Sequence, residues 1–169
     1  MRALVALVVI AAGAAAAVAE PVVVTPAQIE LEAAWTGAEV TPEPLEGAAW
    51  VVRTNRDALL TVTKAKAGNT AAWRSATREK YLDDVEAGLV AGAGAGAEKL
   101  AAKRGKVGRD NVPVLDVVLR RRSPAGATEI VAVRVLLFRT VTVAAAGAAP
   151  DTRSGRKLVE GAVTKLVPR

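Results

Sequence analysis

Two short apolar stretches of the chain, residues 50–54 and 58–64, are rich in β-branched side chains, and in the second the two sides of a strand alternate. Alternation with a period of two is the pattern of a half-buried strand. Three polar residues, Asn55-Arg56-Asp57, separate the stretches, so the pattern predicts a β-hairpin. Residues 41–47 precede the hairpin and contain two prolines, which predicts a loop.

Apolar side chains then recur at three- and four-residue steps, which predicts an amphipathic helix over residues 71–90. Its apolar stripe consists of Trp73, Ala76, Tyr81, Leu82, Val85 and Leu89. Asn69 or Thr70 is expected to cap this helix, because a short side-chain oxygen can accept the free N–H groups of the first turn. Glycine alternates with alanine in residues 91–97, which are predicted to form a flexible loop.

Three further stretches have the composition of strands. Residues 100–107 form a weak pattern that a glycine interrupts, whereas residues 112–122 form a strong one. Residues 128–143 are long for one strand, since typical strands have about 5–6 residues, and are expected to divide near Phe138. The small side chains of residues 144–150 predict a loop.

A second amphipathic pattern ends the chain and predicts a helix over residues 153–167, capped by Asp151 or Thr152. Runs of strands between two helices indicate the α+β class. We therefore expect a central antiparallel β-sheet flanked by two amphipathic helices.

Residues 1–19 have the three parts of a secretory signal peptide. Arg2 supplies the basic start, residues 3–18 are apolar and uncharged, and Ala17-Val18-Ala19 forms a small-x-small cleavage site. The apolar run is shorter than the about 20 residues of a spanning helix and is mostly alanine, so cleavage is favoured over anchoring. We expect a periplasmic or secreted protein that is cleaved near Ala19 and has no transmembrane span afterwards.

The remaining residues are enough for one domain. Prolines interrupt residues 20–48, which are expected to be a lead-in segment, and residues 49–169 are expected to form the α+β domain. Heavy use of Ala, Val and Arg with few Lys is typical of a GC-rich bacterial genome. An exported domain without Cys folds without disulfides, so its hydrophobic core must stabilise it.

The chain contains no Cys and no His, which excludes several kinds of catalytic and metal site. A Ser-His-Asp triad, a cysteine nucleophile and a typical zinc site each need one of these residues. The glycines of residues 92–96 lack the Lys-Ser/Thr pair of a phosphate-binding P-loop. We assign no catalytic, cofactor-binding or metal-binding residue.

Basic residues concentrate on the weak strand, the turn after it and the end of the next strand, in a chain of net charge +6. The candidates for a partner-binding basic patch are Lys103, Arg104, Lys106, Arg109, Arg120, Arg121 and Arg122. If the two strands pair, such a patch can bind an acidic envelope protein or an anionic surface. Protection of an exposed sheet edge is the favoured alternative. No aromatic residues interleave the basic ones, so nucleic acid is not an expected partner.

Acidic residues cluster on the first predicted helix, at Glu79, Asp83, Asp84 and Glu86. Residues 79, 83 and 86 share one helical face, and paired carboxylates can do acid–base chemistry or hold a hard cation. Basic residues flank the cluster, so a solvated charged face is the favoured interpretation.

Trp50 and Trp73 are candidates for lining a ligand pocket between the sheet and a helix. Such a pocket would take a small molecule or a lipid. Packing in the core or on the hairpin is the default role of these side chains, because each ring buries a large apolar area.

Several segments together carry a family resemblance: Trp50-Val51-Val52, Leu59-Leu60-Thr61-Val62, the helix with Trp73 and Leu82, strands 112–122 and 128–143, and helix 153–167. Their order resembles the PsbP-like superfamily, the fold of extrinsic subunits of the photosynthetic oxygen-evolving complex and of many exported bacterial proteins. The resemblance implies a central antiparallel sheet between helices and a binding or assembly role rather than catalysis. The histidines associated with calcium or manganese in some relatives are absent here.

Three hypotheses about function follow. The first is a non-catalytic exported envelope protein that acts as a protein-binding or assembly module. The second is a carrier of a small ligand or lipid, with a pocket near Trp50 and Trp73. The third, ranked last, is a hydrolase that uses the helix carboxylates Asp83, Asp84 and Glu86.

Overall fold

A computed structural model describes residues 23–24, 29–30, 35, 38–43, 49–54, 56 and 58–168. In chain order the elements are β1 Val23–Val24, β2 Ile29–Glu30, β3 Glu39–Glu43, β4 Ala49–Arg53, β5 Leu59–Lys66, α1 Ser75–Gly92, β6 Glu98–Val107, β7 Val112–Arg122, β8 Thr128–Leu137, β9 Val141–Pro150 and α2 Arg153–Val163. The predicted signal peptide lies outside the described residues, as does much of the predicted lead-in segment.

Seven of the described strands form one sheet in the order β3-β4-β5-β9-β8-β7-β6, and β1 pairs separately with β2. Every neighbouring pair in the large sheet is antiparallel. The predicted α+β class with an antiparallel sheet is therefore confirmed. The predicted hairpin is present as β4 and β5, in which Trp50 lies opposite Val62.

The long apolar stretch divides where the sequence predicted, because β8 ends at Leu137 and β9 begins at Val141. The backbone N–H of Phe138 donates to the carbonyl oxygen of Val141 at 2.8 Å and closes the turn between these strands. The predicted loop over residues 144–150 is wrong, since these residues continue β9 through Pro150.

Close packing explains why small residues form this part of β9, which lies between β5 and β8. A Cβ atom on Gly147 would lie 2.6 Å from Cδ2 of Leu60, whose side chain is fully buried. A larger residue at this position would displace the core, so glycine is needed here despite its low preference for strands.

The predicted loop over residues 41–47 is also wrong in part, because Thr41, Pro42 and Glu43 belong to β3. Residues 44–48 lie outside the described part of the chain. Pro42 lies opposite Trp50 on β4. Proline lacks a backbone N–H, and it is accepted here because β3 is at the edge of the sheet.

The first helix begins later than predicted, at Ser75, after a short 3-10 turn at Thr70–Ala72. Neither predicted residue caps α1, since its N-cap is Arg74 and makes no side-chain capping bond. The Thr70 hydroxyl instead donates to the carbonyl oxygen of Phe138 at 2.7 Å. The helix also runs to Gly92, into the segment that was predicted to be a loop.

The second helix begins as predicted, with Thr152 as its N-cap. The Thr152 hydroxyl accepts a hydrogen bond from the backbone N–H of Gly155 at 3.0 Å. The helix ends at Val163, four residues before the predicted end.

Two apolar clusters pack on opposite sides of the sheet, because successive side chains of a strand point to opposite faces. One cluster joins alternate strand residues to Val159, Ala162 and Val163 of α2, and we call its side of the sheet the α2 face. The other joins the intervening strand residues to α1, and we call its side the α1 face. The α1 residues that are buried in this second cluster are Leu82, Val85 and Leu89.

Candidate functional site

Strand β6 forms one edge of the sheet and, among the described residues, pairs only with β7. It has ten residues, and all of its side chains are exposed except the half-buried Leu100 and Val107. Alternate N–H and C=O groups of an edge strand point away from the sheet, so β6 has a row of outward main-chain hydrogen-bonding groups. This row and the side chains beside it are the candidate site.

Pairing with β7 explains why a sequence with few β-branched residues is a strand here. The register places Arg104 opposite Leu115 and Gly105 opposite Val114, and β7 itself is mostly buried. A tight turn joins the two strands, with Gly108 and Asn111 at positive φ angles of 72° and 52°. The stability of β6 thus comes from its neighbour rather than from its own composition.

On the α1 face, Arg104 binds three carboxylates of helix α1. Its guanidinium nitrogens lie 2.9 Å from Glu79, 2.5 Å from Asp83 and 3.2 Å from Glu86. Lys99 also contacts Glu86, at 2.5 Å. The three acidic residues predicted to share a helix face therefore neutralise two cations of β6.

These contacts shift the ionisation of the groups involved. Hydrogen bonds from Lys99 and then Arg104 lower the pKa of the Glu86 carboxyl below its ordinary value, although partial burial opposes the shift. The hydrogen bond to Asp83 is the largest cause that raises the pKa of Arg104 above its ordinary value. The network thus stabilises the charged forms on both sides, and it links α1 to the edge strand.

Two of the three predicted basic residues on β7, Arg120 and Arg121, also form ion pairs. Arg120 binds Asp151 at 2.8 Å and Glu98 at 2.9 Å, and the hydrogen bond to Asp151 is the main cause that raises its pKa. Arg121 is buried and binds Glu129 at 2.6 Å, while its Nη2 atom has no hydrogen-bond partner within the described structure.

The seven predicted basic residues do not form one continuous patch. The register places Lys103 and Arg120 on the α2 face, and Arg104 and Arg121 on the α1 face. Arg122 is at the far end of β7, about 30 Å along the strand from the residue that pairs with Lys106, at about 3.3 Å per residue.

Four of the seven form no ion pair with another described residue: Lys103, Lys106, Arg109 and Arg122. Lys103 and Lys106 lie in the second half of β6, and Arg109 lies in the turn that follows. The structure therefore groups three exposed cations at one end of the edge strand.

The two tryptophans proposed to line a pocket lie on opposite faces of the sheet. Trp50 packs against the α2-face cluster, and its partner Val62 belongs to that cluster. Trp73 packs against Tyr81 of α1, with 5.1 Å between ring centroids. The Tyr81 hydroxyl is 2.9 Å from that of Thr142 on the α1 face. The two side chains cannot line one pocket, because the sheet separates them.

Sequence analysis missed the pairing of Arg104 with α1, although both partners were singled out separately. Charge alone indicated a solvated helix face and a basic strand, and only the position of α1 across β6 brings them into contact. The partly buried ion pair between Asp116 and Arg134 was missed as well. The sequence did contain an indication of this pair, because one charged residue interrupts each of two apolar strand patterns. A charge at a buried position needs a partner of opposite charge.

No model of a known protein family matches this chain. No curated protein matches it either. Within the described ranges, neither helix is long and apolar enough to cross a membrane. The same residues contain no group of three or more Asp, Glu, His or Cys side chains that could hold a metal ion.

Proposed function

We propose that this protein is a non-catalytic, exported module that binds another protein through the edge strand β6. One observation carries the proposal: β6 is ten residues long, exposed along both faces, and paired on one side only among the described residues. Edge strands are usually short, bulged, charged or covered, because an open edge pairs with other chains. The register of β6 on β7 shifts between Lys99 and Ala101, so the regular part of the open edge is residues 101–107.

The side chains of β6 leave its main chain accessible. Ala101, Ala102 and Gly105 lie on the exposed part of the strand and are too small to cover the outward N–H and C=O groups. Lys103 and Lys106 lie among them, so the edge repels basic partners and attracts acidic ones. If the sequence of β6 served only to protect the edge, large charged residues could occupy the whole strand. The small residues are then unexplained.

We also propose that the protein acts in the periplasm or outside the cell. Residues 1–19 have the pattern of a secretory signal peptide, so the partner would be a protein of the periplasm or outside the cell. The PsbP-like resemblance, with helices on either side of the sheet, supports a binding role of this kind. N-terminal sequencing of the protein from an envelope fraction should start near Glu20, and a start at Met1 would contradict export with cleavage.

The carrier and hydrolase hypotheses have less support from the geometry. Trp50 and Trp73 lie on opposite faces, and the carboxylates Asp83 and Glu86 already bind Arg104. Hydrogen bonds from Lys99 and Arg104 keep the pKa of Glu86 low, which makes this carboxylate a poor general base.

Capture from an envelope extract tests the proposal, with the naturally processed, tagged protein as bait at low and at high salt. We expect a protein partner that is lost at high salt, because exposed charge pairs are screened. The double variant Lys103→Glu/Lys106→Glu should lose it as well. The matched control is Arg153→Glu/Lys157→Glu, which makes the same change of charge at exposed positions of α2.

Two results would contradict the proposal. One is the absence of any specific partner at both salt concentrations. The other is a partner that both double variants retain equally, since its binding would then not involve β6.

A further inference from the structure

We infer that β6 binds an acidic, extended polypeptide segment of another protein, which adds to the sheet as an eighth strand. This inference rests on the proposed function and specifies its partner. In such strand addition, main-chain hydrogen bonds supply affinity and the alternating side chains supply specificity.

The two edges of the sheet differ in their ability to accept a strand. The edge strand β3 has five residues and contains Pro42, which lacks an N–H to donate. The edge strand β6 has ten residues and no proline. Only β6 therefore offers a long row of outward donors and acceptors among the described strands.

The exposed cations define the charge of the added strand. Lys103 lies on the α2 face, Lys106 lies three residues further on the α1 face, and neither forms an ion pair with a described residue. Residues directly opposite them on an added strand are also three apart and point to opposite faces. The partner should therefore have acidic residues at positions i and i+3.

The acidic residues of α1 determine which cations of β6 remain available. Glu79, Asp83 and Glu86 lie beside the strand on the α1 face and bind Arg104 and Lys99. These two cations are therefore already neutralised. An acidic segment is thus directed to the cations that form no ion pair with a described residue, which are Lys103, Lys106 and, in the following turn, Arg109.

Other occupants fit these positions less well. A flat anionic surface needs its cations on one side, whereas Lys103 and Lys106 project to opposite faces. A second copy of β6, paired edge to edge, would bring cations of the two copies close together, and like charges across a strand pair are destabilising. A separate acidic chain avoids both problems.

A synthetic probe tests the inference directly. The probe is a fluorescent nine-residue peptide of alternating Val and Thr with two glutamates three positions apart. We expect saturable binding to the naturally processed protein by fluorescence anisotropy, and increased protection of β6 amides in hydrogen exchange. Lys103→Glu/Lys106→Glu should weaken binding by at least about tenfold. A peptide with lysines at the two positions should bind that variant and not the original protein.

The Arg153→Glu/Lys157→Glu variant should bind the acidic peptide like the original protein. The inference is wrong if the acidic and basic peptides bind alike, or if binding leaves the exchange of β6 amides unchanged. It is also wrong if Lys103 and Lys106 are needed for binding to phosphatidylglycerol vesicles while the peptide fails to bind. Self-association through β6, detected by light scattering and abolished by the same variant, would overturn it too.

The two proposals fail in different ways. A captured envelope protein that depends on Lys103 and Lys106, combined with failure of the peptide, leaves the proposed function standing and removes strand addition. Peptide binding with the expected charge dependence, combined with no captured envelope protein, supports strand addition and contradicts the proposed function.

Discussion

At the scale of the residue, Arg134 is the most connected charged side chain of the described structure. It is 7% exposed and lies on the central part of β8. Its guanidinium binds both carboxylate oxygens of Asp116 at 2.7 and 2.8 Å. A third nitrogen donates to the carbonyl oxygens of Thr164 and Leu166, at 2.6 and 3.3 Å, just beyond α2. One side chain thus joins two strands to the end of a helix.

The substitution Arg134→Met should destabilise the protein by about 2–4 kcal/mol, because it leaves Asp116 and two carbonyl oxygens without their donor. The cost is below that of a fully buried pair, since 23% of the Asp116 side chain is exposed. Urea unfolding followed by tryptophan fluorescence measures it. Arg109→Met, in an exposed turn, is the control and should change stability by less than about 0.5 kcal/mol.

The double variant Arg134→Met/Asp116→Val separates two explanations of the result. It should recover much of the lost stability, because no charge is then left without a partner. A double variant as unstable as Arg134→Met would show that the contacts to α2, rather than the ion pair, are responsible.

At the scale of the element, the network around Arg104 and Glu86 is the side-chain connection between α1 and β6. Its exposed pairs contribute little each, since exposed ion pairs are typically worth about 0.2–1 kcal/mol. Glu86 is less exposed than the other carboxylates of this network. Only 15% of its side chain is exposed, and it binds both Lys99 and Arg104. Its lowered pKa makes it a group through which pH acts on this connection.

Glu86 should make stability depend on acid pH. Its pKa is lower in the folded protein than the ordinary value of 4.5, so its stabilisation is complete above that value and is lost as pH falls through the folded pKa. Glu86→Gln should cost up to about 1 kcal/mol at pH 7 and less at pH 3, because the stabilisation is lost as pH falls through the folded pKa. Unfolding by urea at both pH values measures the difference.

Asp84→Asn is the matched control for this experiment. Asp84 lies on the same helix, and its pair with Lys80 is 3.6 Å long and exposed on both sides. Its substitution should change the unfolding free energy by less than about 0.5 kcal/mol. A cost of Glu86→Gln that is the same at pH 7 and pH 3 would show that the contribution is not electrostatic.

Whether an element could be predicted depended on where its stability comes from. The apolar, β-branched runs of β7 and β8 were visible in the sequence, because side chains on both faces of these strands are buried. The second half of β9 could not be predicted, because Ala and Gly have a low preference for strands. Small residues are needed there because Leu60 packs directly against the backbone at Gly147. The cap of α1 was misplaced because Thr70 binds Phe138, which is distant in sequence.

At the scale of the whole molecule, Trp35 connects the beginning of the described chain to its end. It is 2% exposed and belongs to the α2-face cluster. Its indole N–H donates to the carbonyl oxygen of Ala162 at 2.7 Å, across 127 residues of sequence. A residue within the predicted lead-in segment therefore packs with the core.

The substitution Trp35→Phe should destabilise the protein by about 1–3 kcal/mol, because it removes this hydrogen bond and leaves space in the core. The control is Trp50→Phe, at a half-buried position on β4, which should cost less. Thermal unfolding followed by circular dichroism compares the two. Equal shifts of the midpoint would mean that Trp35 does not anchor its segment.

Local periodicity and neighbouring residues were enough to predict the fold class, the hairpin, the division between β8 and β9, and the cap of α2. They also indicated that basic residues gather near β6. They did not show which of these residues are neutralised, that Trp50 and Trp73 lie apart, or that Lys103 and Lys106 project to opposite faces of an open edge. Those properties depend on which elements become neighbours in the fold, and distant parts of the chain supply these neighbours.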